Sequence, residues 1–376
     1  MRLVDIYQYL ILFVVTVLTF REFQSYNRKQ FDIGLVNTRS NDGLAIILAA
    51  ALTLLIGLRP ISIAWQFGDS VVYKNYYNTL AGSRYFFDTE AVNLIWDNLL
   101  SYFACNELGL STLFLLGDIL YFGCTYLACR KLFPRDTNAA YLVFLGAFST
   151  FSYSFNGVKA GIAASIFLLA IAYYEKKWLS ILLVLISWGF HHSMQLPVAA
   201  YILTLIFKNP KWYFYGWFFS VLMALLHITA FQSLFSIMTD EGGQGYLNTL
   251  GGEDFGGVGG FRIDFLIYSA APVLLGYKII IKDKIRVSKM YKTILNLYLC
   301  TNAVWCLCMY ASYCNRIAYL SWFMYPIVLI YPLLKEDLSG CSLLKGRSQY
   351  KLFSKVMGYH LGFTLFMELV FYKLIK

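Results

Sequence analysis

Apolar stretches long enough to cross a bilayer as helices, roughly 17–25 residues each, recur along this chain and leave little choice of fold. Of its 376 residues 59% are hydrophobic and only 14% are charged, too few charges to cover a soluble domain of this length. The runs mark about twelve spans, near 3–20, 43–58, 110–129, 139–155, 158–174, 178–192, 194–207, 212–230, 263–281, 293–312, 316–334 and 355–374. Some are short enough to be re-entrant. The sequence therefore predicts one all-α, polytopic integral membrane domain over residues 1–376, with longer outer loops near 59–109 and 231–262. Its first run passes from Leu10–Phe20 straight into Arg21 without small-residue cleavage chemistry, which marks a retained span and not a removed leader.

Lysine and arginine assign the sides. Arg21, Arg28, Lys29 and Arg39 follow the first span, and Arg130, Lys131 and Arg135 follow the third. Lys176 with Lys177, Lys208 with Lys211, the run from Lys278 to Lys292, and the residues from Lys335 to Lys355 continue the pattern on every second loop. By the positive-inside rule those loops are cytoplasmic and both termini lie outside. The net charge of +10 is thus distributed by topology, which removes its force as a sign of nucleic-acid binding. The eight cysteines show no CxxC spacing and sit mostly within apolar runs, as small core residues and neither a disulfide framework nor a metal site.

With the sides assigned, the few outward charges become informative. The run from Leu44 to Leu58 ends on Arg59; Pro60 breaks it, and a turn at Gly68-Asp69 leads into Tyr73, Tyr76 and Tyr77. Lys159 opens one span and His191 closes the next, each about 16 residues from the tight turn at 175–177, so at about 1.5 Å per residue both climb to one depth. Arg59 and Arg316 reach the same boundary from two other spans. Singly, each has an ordinary explanation: an arginine at a helix end snorkels to headgroups, a histidine there caps, and Asp69 fixes a turn. Together, such groups arriving from separate spans point to a shared anionic ligand. Arginine grips a phosphate or pyrophosphate bidentately, and lysine adds a point charge.

Other features carry less. Asp118 and Glu368 lie inside apolar spans, where ionisable groups are functional candidates by default; with no intramembrane basic partner in view for either, an ion or proton pathway has weak support. The paired glycines between 242 and 260 lack the Lys-Ser/Thr signature of a phosphate-binding loop and read as an external loop able to cover substrate. The amphipathic stretch Leu94–Leu100 suits the membrane interface.

The order of these features resembles the EpsG family, relatives of the Wzy-type polymerases of bacterial exopolysaccharide, capsule and O-antigen synthesis. Gly57-Leu58-Arg59 followed by Gly68-Asp69 and Tyr73 looks like that family's Gly-Leu-Arg, Gly-x-Asp and Tyr region. Asn156-Gly157-Val158-Lys159-Ala160-Gly161-Ile162-Ala163 is similar to its Asn-x-x-Arg-Gln-x-x-Ala span opening, and Phe190-His191-His192-Ser193 to its Phe-His-x-Ser closing. Arg316 with Tyr319 looks like its late outer-face arginine. Lys159 and Ala160 depart from the usual Arg-Gln, and Gly68 is followed directly by Asp69.

The resemblance implies a multi-pass glycosyltransferase of the bacterial inner membrane, with periplasmic termini. It would join undecaprenyl-pyrophosphate-linked oligosaccharide repeat units on the periplasmic face. The reaction needs no cofactor, metal or nucleic acid; its partners are the lipid-linked oligosaccharide, the bilayer, a chain-length regulator and a flippase. Asp69 or His191 would take the proton of the attacking sugar hydroxyl, and Arg59, Lys159 and Arg316 would bind the departing pyrophosphate. Asn156, Trp65 and Tyr73 would contact sugar. Two alternatives stand beside this: a transporter or flippase of lipid-linked sugars, and a membrane acyltransferase using His191 as base.

Overall fold

A computed structural model describes residues 3–29, 42–61, 69–235, 260–312 and 314–371. Among these, regular structure is helical throughout, apart from an isolated bridge residue at Ala311. The glycine-paired loop and Trp65 lie outside the described residues. In chain order the helices are α1 (Leu3–Lys29), α2 (Gly43–Gly57), α3 (Asp69–Leu80), α4 (Leu94–Cys105), α5 (Leu110–Leu132), α6 (Thr137–Leu145), α7 (Phe148–Phe155), α8 (Val158–Ala172) and α9 (Lys177–Phe190). They continue as α10 (Gln195–Ile206), α11 (Pro210–Leu225), α12 (Gln232–Phe235), α13 (Ile263–Tyr277), α14 (Lys289–Leu307), α15 (Cys314–Trp322), α16 (Tyr325–Lys335) and α17 (Gln349–Phe366). Three helical stretches, Leu110–Leu132, Ile263–Lys282 and Cys314–Lys335, are long and apolar enough to cross a membrane; Gly43–Gly57, Val158–Ala172, Lys177–Phe190 and His192–Ile206 are apolar but shorter.

The chain groups into two compact units, residues 1–191 with 350–376, and residues 192–349. In the first, α2 and α5 run antiparallel. At one end Asp42, just before α2, accepts a hydrogen bond from Tyr126 (2.9 Å) and pairs with Arg130 (3.1 Å) late in α5. At the other end Gly57 crosses α5 so closely that a Cβ there would lie 2.9 Å from the Leu115 Cα, which only glycine permits. The pairing leaves Arg130 and Lys131 at one end of the unit and Arg59 at the other, the separation that the charge pattern predicts.

The α8–α9 hairpin is held in one register. Ser180 Oγ bonds the Ala170 carbonyl (2.9 Å) and Ser187 Oγ the Ala163 carbonyl (2.7 Å). Carried four residues further outward, that register sets 159 opposite 191, in agreement with the climb computed from sequence. Val158 and Ile162 of α8 flank Gly117 of α5, so α8 begins level with the eighth residue of α5. Seven residues at about 1.5 Å each recess the start of α8 roughly 10 Å below that of α5. Helices α3 and α4 pack over this recess. Ile95 of α4 lies against Gly189 of α9, and Tyr73 of α3 packs edge-on to the buried Trp96 (ring centroids 5.1 Å apart). Trp96, Leu100 and Phe103 of 94–105 are covered by protein, while Leu94 and Tyr102 stay exposed.

One expected span is broken. Residues 137–155 form two helices, α6 and α7, because Ala147, just after Gly146, turns to extended geometry (φ −75°, ψ 138°). The break frees two carbonyls, and α17 satisfies both: His360 Nε2 donates to Val143 O (2.9 Å) and Thr364 Oγ1 to Gly146 O (2.8 Å). Four residues apart, the two side chains share one helix face. A membrane helix tolerates a break only where neighbouring groups take up the released backbone bonds.

Among the described residues, the fully buried polar groups of the second unit are uncharged, and its most enclosed ion pair, Arg262 with Asp264 (2.6 Å), keeps 16% and 12% of its side-chain surface exposed. Trp217 Nε1 donates to Asn302 Oδ1 (2.8 Å), and Asn302 Nδ2 to Ser321 Oγ (3.0 Å). Trp322 Nε1 and Tyr298 OH both reach Ser269 (2.8 and 2.9 Å). At the basic end of this unit, Asp283 accepts from the Ser342 backbone (3.0 Å) and from Cys341 (3.2 Å), and Ser288 is hydrogen-bonded to Glu336. Partial desolvation pushes the Asp283 carboxyl up, but the bonds from Cys341, Ser342 and Lys278 together outweigh it and hold the group at about 2. Along 282–287 every second side chain turns outward, exposing Lys282, Lys284 and Arg286.

Candidate functional site

Arg59 follows the last turn of α2, and Pro60 prevents that helix from continuing. Its guanidinium folds back into the first unit and has no exposed surface. Nη1 donates to the Ile56 carbonyl (2.8 Å) and pairs with Asp118 Oδ2 (3.3 Å); Nη2 reaches Ser70 Oγ (3.1 Å) and the Phe155 carbonyl (3.5 Å). The group also lies over the Phe114 ring, 4.8 Å from its centroid. Asp118, 2% exposed, thus has a full ionic partner inside the unit, which corrects the sequence reading that none was near. The two residues are 59 positions apart, and only the antiparallel packing of α2 on α5 makes them neighbours.

Three segments meet at this guanidinium. Ser70 Oγ donates to the Phe155 carbonyl (2.9 Å), the same oxygen that Arg59 approaches. The contact joins the Gly57–Arg59 segment, the start of α3 and the turn between α7 and α8. These stretches carry, or directly adjoin, two of the family-like regions of the sequence, 57–73 and 156–163. The candidate residues follow directly along the chain. Asp69 opens α3 beside Ser70, and Tyr73 sits one turn on, buried against Trp96 and Phe114. Asn156, next to Phe155, is exposed; Lys159 is half-buried in the first turn of α8. His191 ends α9 in extended conformation (φ −149°, ψ 119°), opposite Lys159 in the hairpin register.

Asp69, Tyr73, Asn156, Lys159 and His191 therefore lie toward the same end of the first unit as the Arg59–Asp118 pair, whose own contacts are to Ile56, Ser70 and Phe155. Arg316 belongs to the second unit, exposed in the first turn of α15. Asp118 and Ser70 were missed as members of the cluster. The available signal was an acidic residue in the first half of the apolar run 110–129, since antiparallel packing brings that half beside the end of the run that closes on Arg59.

The start of α8 carries positive charge. A helix N-terminus carries partial positive charge and is ordinarily flanked by acidic residues. The first turn of α8 holds no acidic residue and one lysine, so positive charge is added to positive. Such an end attracts an anion. Among the described residues, no group of three or more His, Cys, Asp or Glu side chains is placed to hold a metal ion.

Apolar helices enclosing a charged cluster at one end of a unit, with basic residues at the other, define an all-helical membrane protein with a polar site. The chain belongs to the EpsG family, whose model matches residues 44–340, from α2 to the segment before α17. It is thus a polysaccharide-related membrane protein. No curated protein and no solved structure matched it.

Proposed function

We propose that the protein is a repeat-unit polymerase, an inner-membrane glycosyltransferase of about twelve spans working at the periplasmic face. The observation that supports this reading is that the segments bearing two of the family-like stretches, 57–73 and 156–163, meet through Ser70 and Phe155 at one buried guanidinium, near the lysine-bearing N-terminus of α8. A hydroxyl oxygen of the acceptor sugar attacks the anomeric carbon of a lipid-linked donor, and a new glycosidic bond forms. The bond from that carbon to pyrophosphate breaks, the hydroxyl proton passes to Asp69 or His191, and undecaprenyl pyrophosphate departs. Lys159 and the N-terminus of α8 stabilise the charge growing on the leaving group; Arg316, in the second unit, is a candidate anion ligand in its own right. Asn156 and Trp65 serve the sugars, while Tyr73, buried against Trp96 and Phe114, supports α3 from behind and does not meet sugar directly. Arg59, enclosed as it is, meets phosphate only where the pair with Asp118 opens. A transporter gains no support from Asp118, because that carboxylate is committed to Arg59.

The test is elongation in vitro. Full-length protein in vesicles is given the lipid-linked repeat unit extracted from a polymerase-deficient strain. The reading expects polymer of increasing length from wild type and at least a tenfold loss in Lys159→Ala, with His191→Ala more damaging than His192→Ala. Wild-type protein that leaves the repeat unit unextended, while a known polymerase extends it, overturns the reading.

A further inference from the structure

We propose that Asp118 is a positioning residue for the polymerisation reaction: through Arg59 it holds the Asp69 helix and the Asn156–Lys159 turn in their working arrangement. The inference rests on the polymerase reading and adds to it a residue that no motif marks. Asp118 touches neither candidate acid–base residue nor the candidate pyrophosphate ligand of α8. It is fixed twice, by its carboxylate on Arg59 Nη1 (3.3 Å) and by its backbone carbonyl, which accepts from Thr53 Oγ1 of α2 (3.4 Å). The carboxylate holds Nη1 against α5. Nη2 of the same planar group is then aimed at Ser70 Oγ and at the Phe155 carbonyl. A guanidinium is rigid and planar, so fixing one nitrogen fixes the direction of the other.

The reach of this control is short. Ser70 adjoins Asp69 in the first turn of α3, and Phe155 adjoins Asn156, three residues before Lys159. Without its carboxylate the guanidinium keeps the Ile56 carbonyl on Nη1 (2.8 Å) but loses the contact that aims Nη2, so its hold on the start of α3 and on the turn before α8 loosens, leaving Ser70 Oγ on the Phe155 carbonyl (2.9 Å) as their direct tie. The pair lies at the level where α8 begins, since Gly117 meets Val158 there. Asp118 thus sits behind the recessed site.

The experiment compares full-length wild type, Asp118→Asn, Asp118→Glu and the neutral pair Arg59→Gln/Asp118→Asn, which folds without an uncompensated buried charge if Asp118→Asn alone does not. Two quantities are read: elongation of the purified lipid-linked repeat unit per folded molecule, and hydrogen exchange along the chain. A positioning role predicts at least a tenfold fall in kcat for Asp118→Asn with KM within threefold of wild type, and partial rescue by Asp118→Glu. Exchange rises at 69–74 and 155–160 in Asp118→Asn, and in the neutral pair, and stays unchanged in α13 to α16. Turnover per folded molecule within twofold of wild type overturns the proposal, whatever happens to yield. A rise in KM that accounts for the lost kcat/KM also overturns it, because Arg59 is then a direct ligand. Where wild type itself elongates nothing, the polymerase reading fails and exchange alone decides: unchanged protection at 69–74 and 155–160 overturns the positioning role, and lost protection upholds it.

Discussion

The two units bury polar groups in opposite ways. The first encloses a full charge pair, Arg59 with Asp118, among apolar helices. The second satisfies Trp217, Asn302, Ser321, Trp322 and Ser269 with neutral hydrogen bonds only. For stability alone the neutral solution is sufficient, since desolvating two charges can cost more than their attraction returns. The ionic solution stands where motif-bearing segments from α2, α3 and the α7–α8 turn meet, and the neutral one where helices simply pack. Charge is retained where direction matters, because a guanidinium fixed by a carboxylate aims its remaining donors.

The comparison can be broken at either side. The largest effect belongs to Arg59→Ala or Asp118→Ala. Either leaves a buried charge without its partner, a loss of about 3–5 kcal/mol, and both abolish long-chain polysaccharide while single lipid-linked repeats accumulate. Thermal unfolding in detergent and gel analysis of cell-surface polysaccharide check the two halves. Asn302→Leu, which cuts bonds to Trp217 and Ser321, costs about 1–3 kcal/mol, yet leaves elongation per folded molecule near wild type. An Asn302→Leu protein that folds normally and cannot elongate would erase the distinction between the units.

Ser70→Ala comes next, at about 0.5–1.5 kcal/mol, with a loss of turnover out of proportion to that change. Equal small losses in both would make Ser70 a packing residue. The smallest effect is at Asp283. Its carboxyl is held low, at about 2, so its contribution is fully present above the ordinary value near 3.8 and disappears as pH falls through about 2. Asp283→Ala should therefore raise protease cleavage within 336–349 at neutral pH, with elongation unchanged. Unaltered cleavage would remove Asp283 from the account.

Much of this was legible in the sequence, for identifiable reasons. Apolar runs locate helices because an unsatisfied backbone is intolerable in a bilayer, and the basic loops sort the ends of the first unit, with Arg130 and Lys131 far from Arg59. Equal distances from the 175–177 turn set Lys159 level with His191, and Ser180 and Ser187 hold that register. What escaped was whatever depends on packing between helices. Asp118 acquires Arg59 only through the crossing at Gly57. The break at Gly146 is stabilised by His360 and Thr364, more than two hundred residues away in sequence. Trp96 and Leu100 gave 94–100 an interfacial look, yet the recess left by the short α8–α9 hairpin draws those two side chains onto protein.

The most direct test of the central claim is a double-mutant cycle on Arg59→Gln and Asp118→Asn, read as elongation turnover per folded molecule. If the pair acts as one device, the double variant is no worse than the more damaged single variant, a strongly non-additive result. If the two losses multiply, Arg59 and Asp118 act independently, and the account of a single guanidinium gathering the motif segments is contradicted.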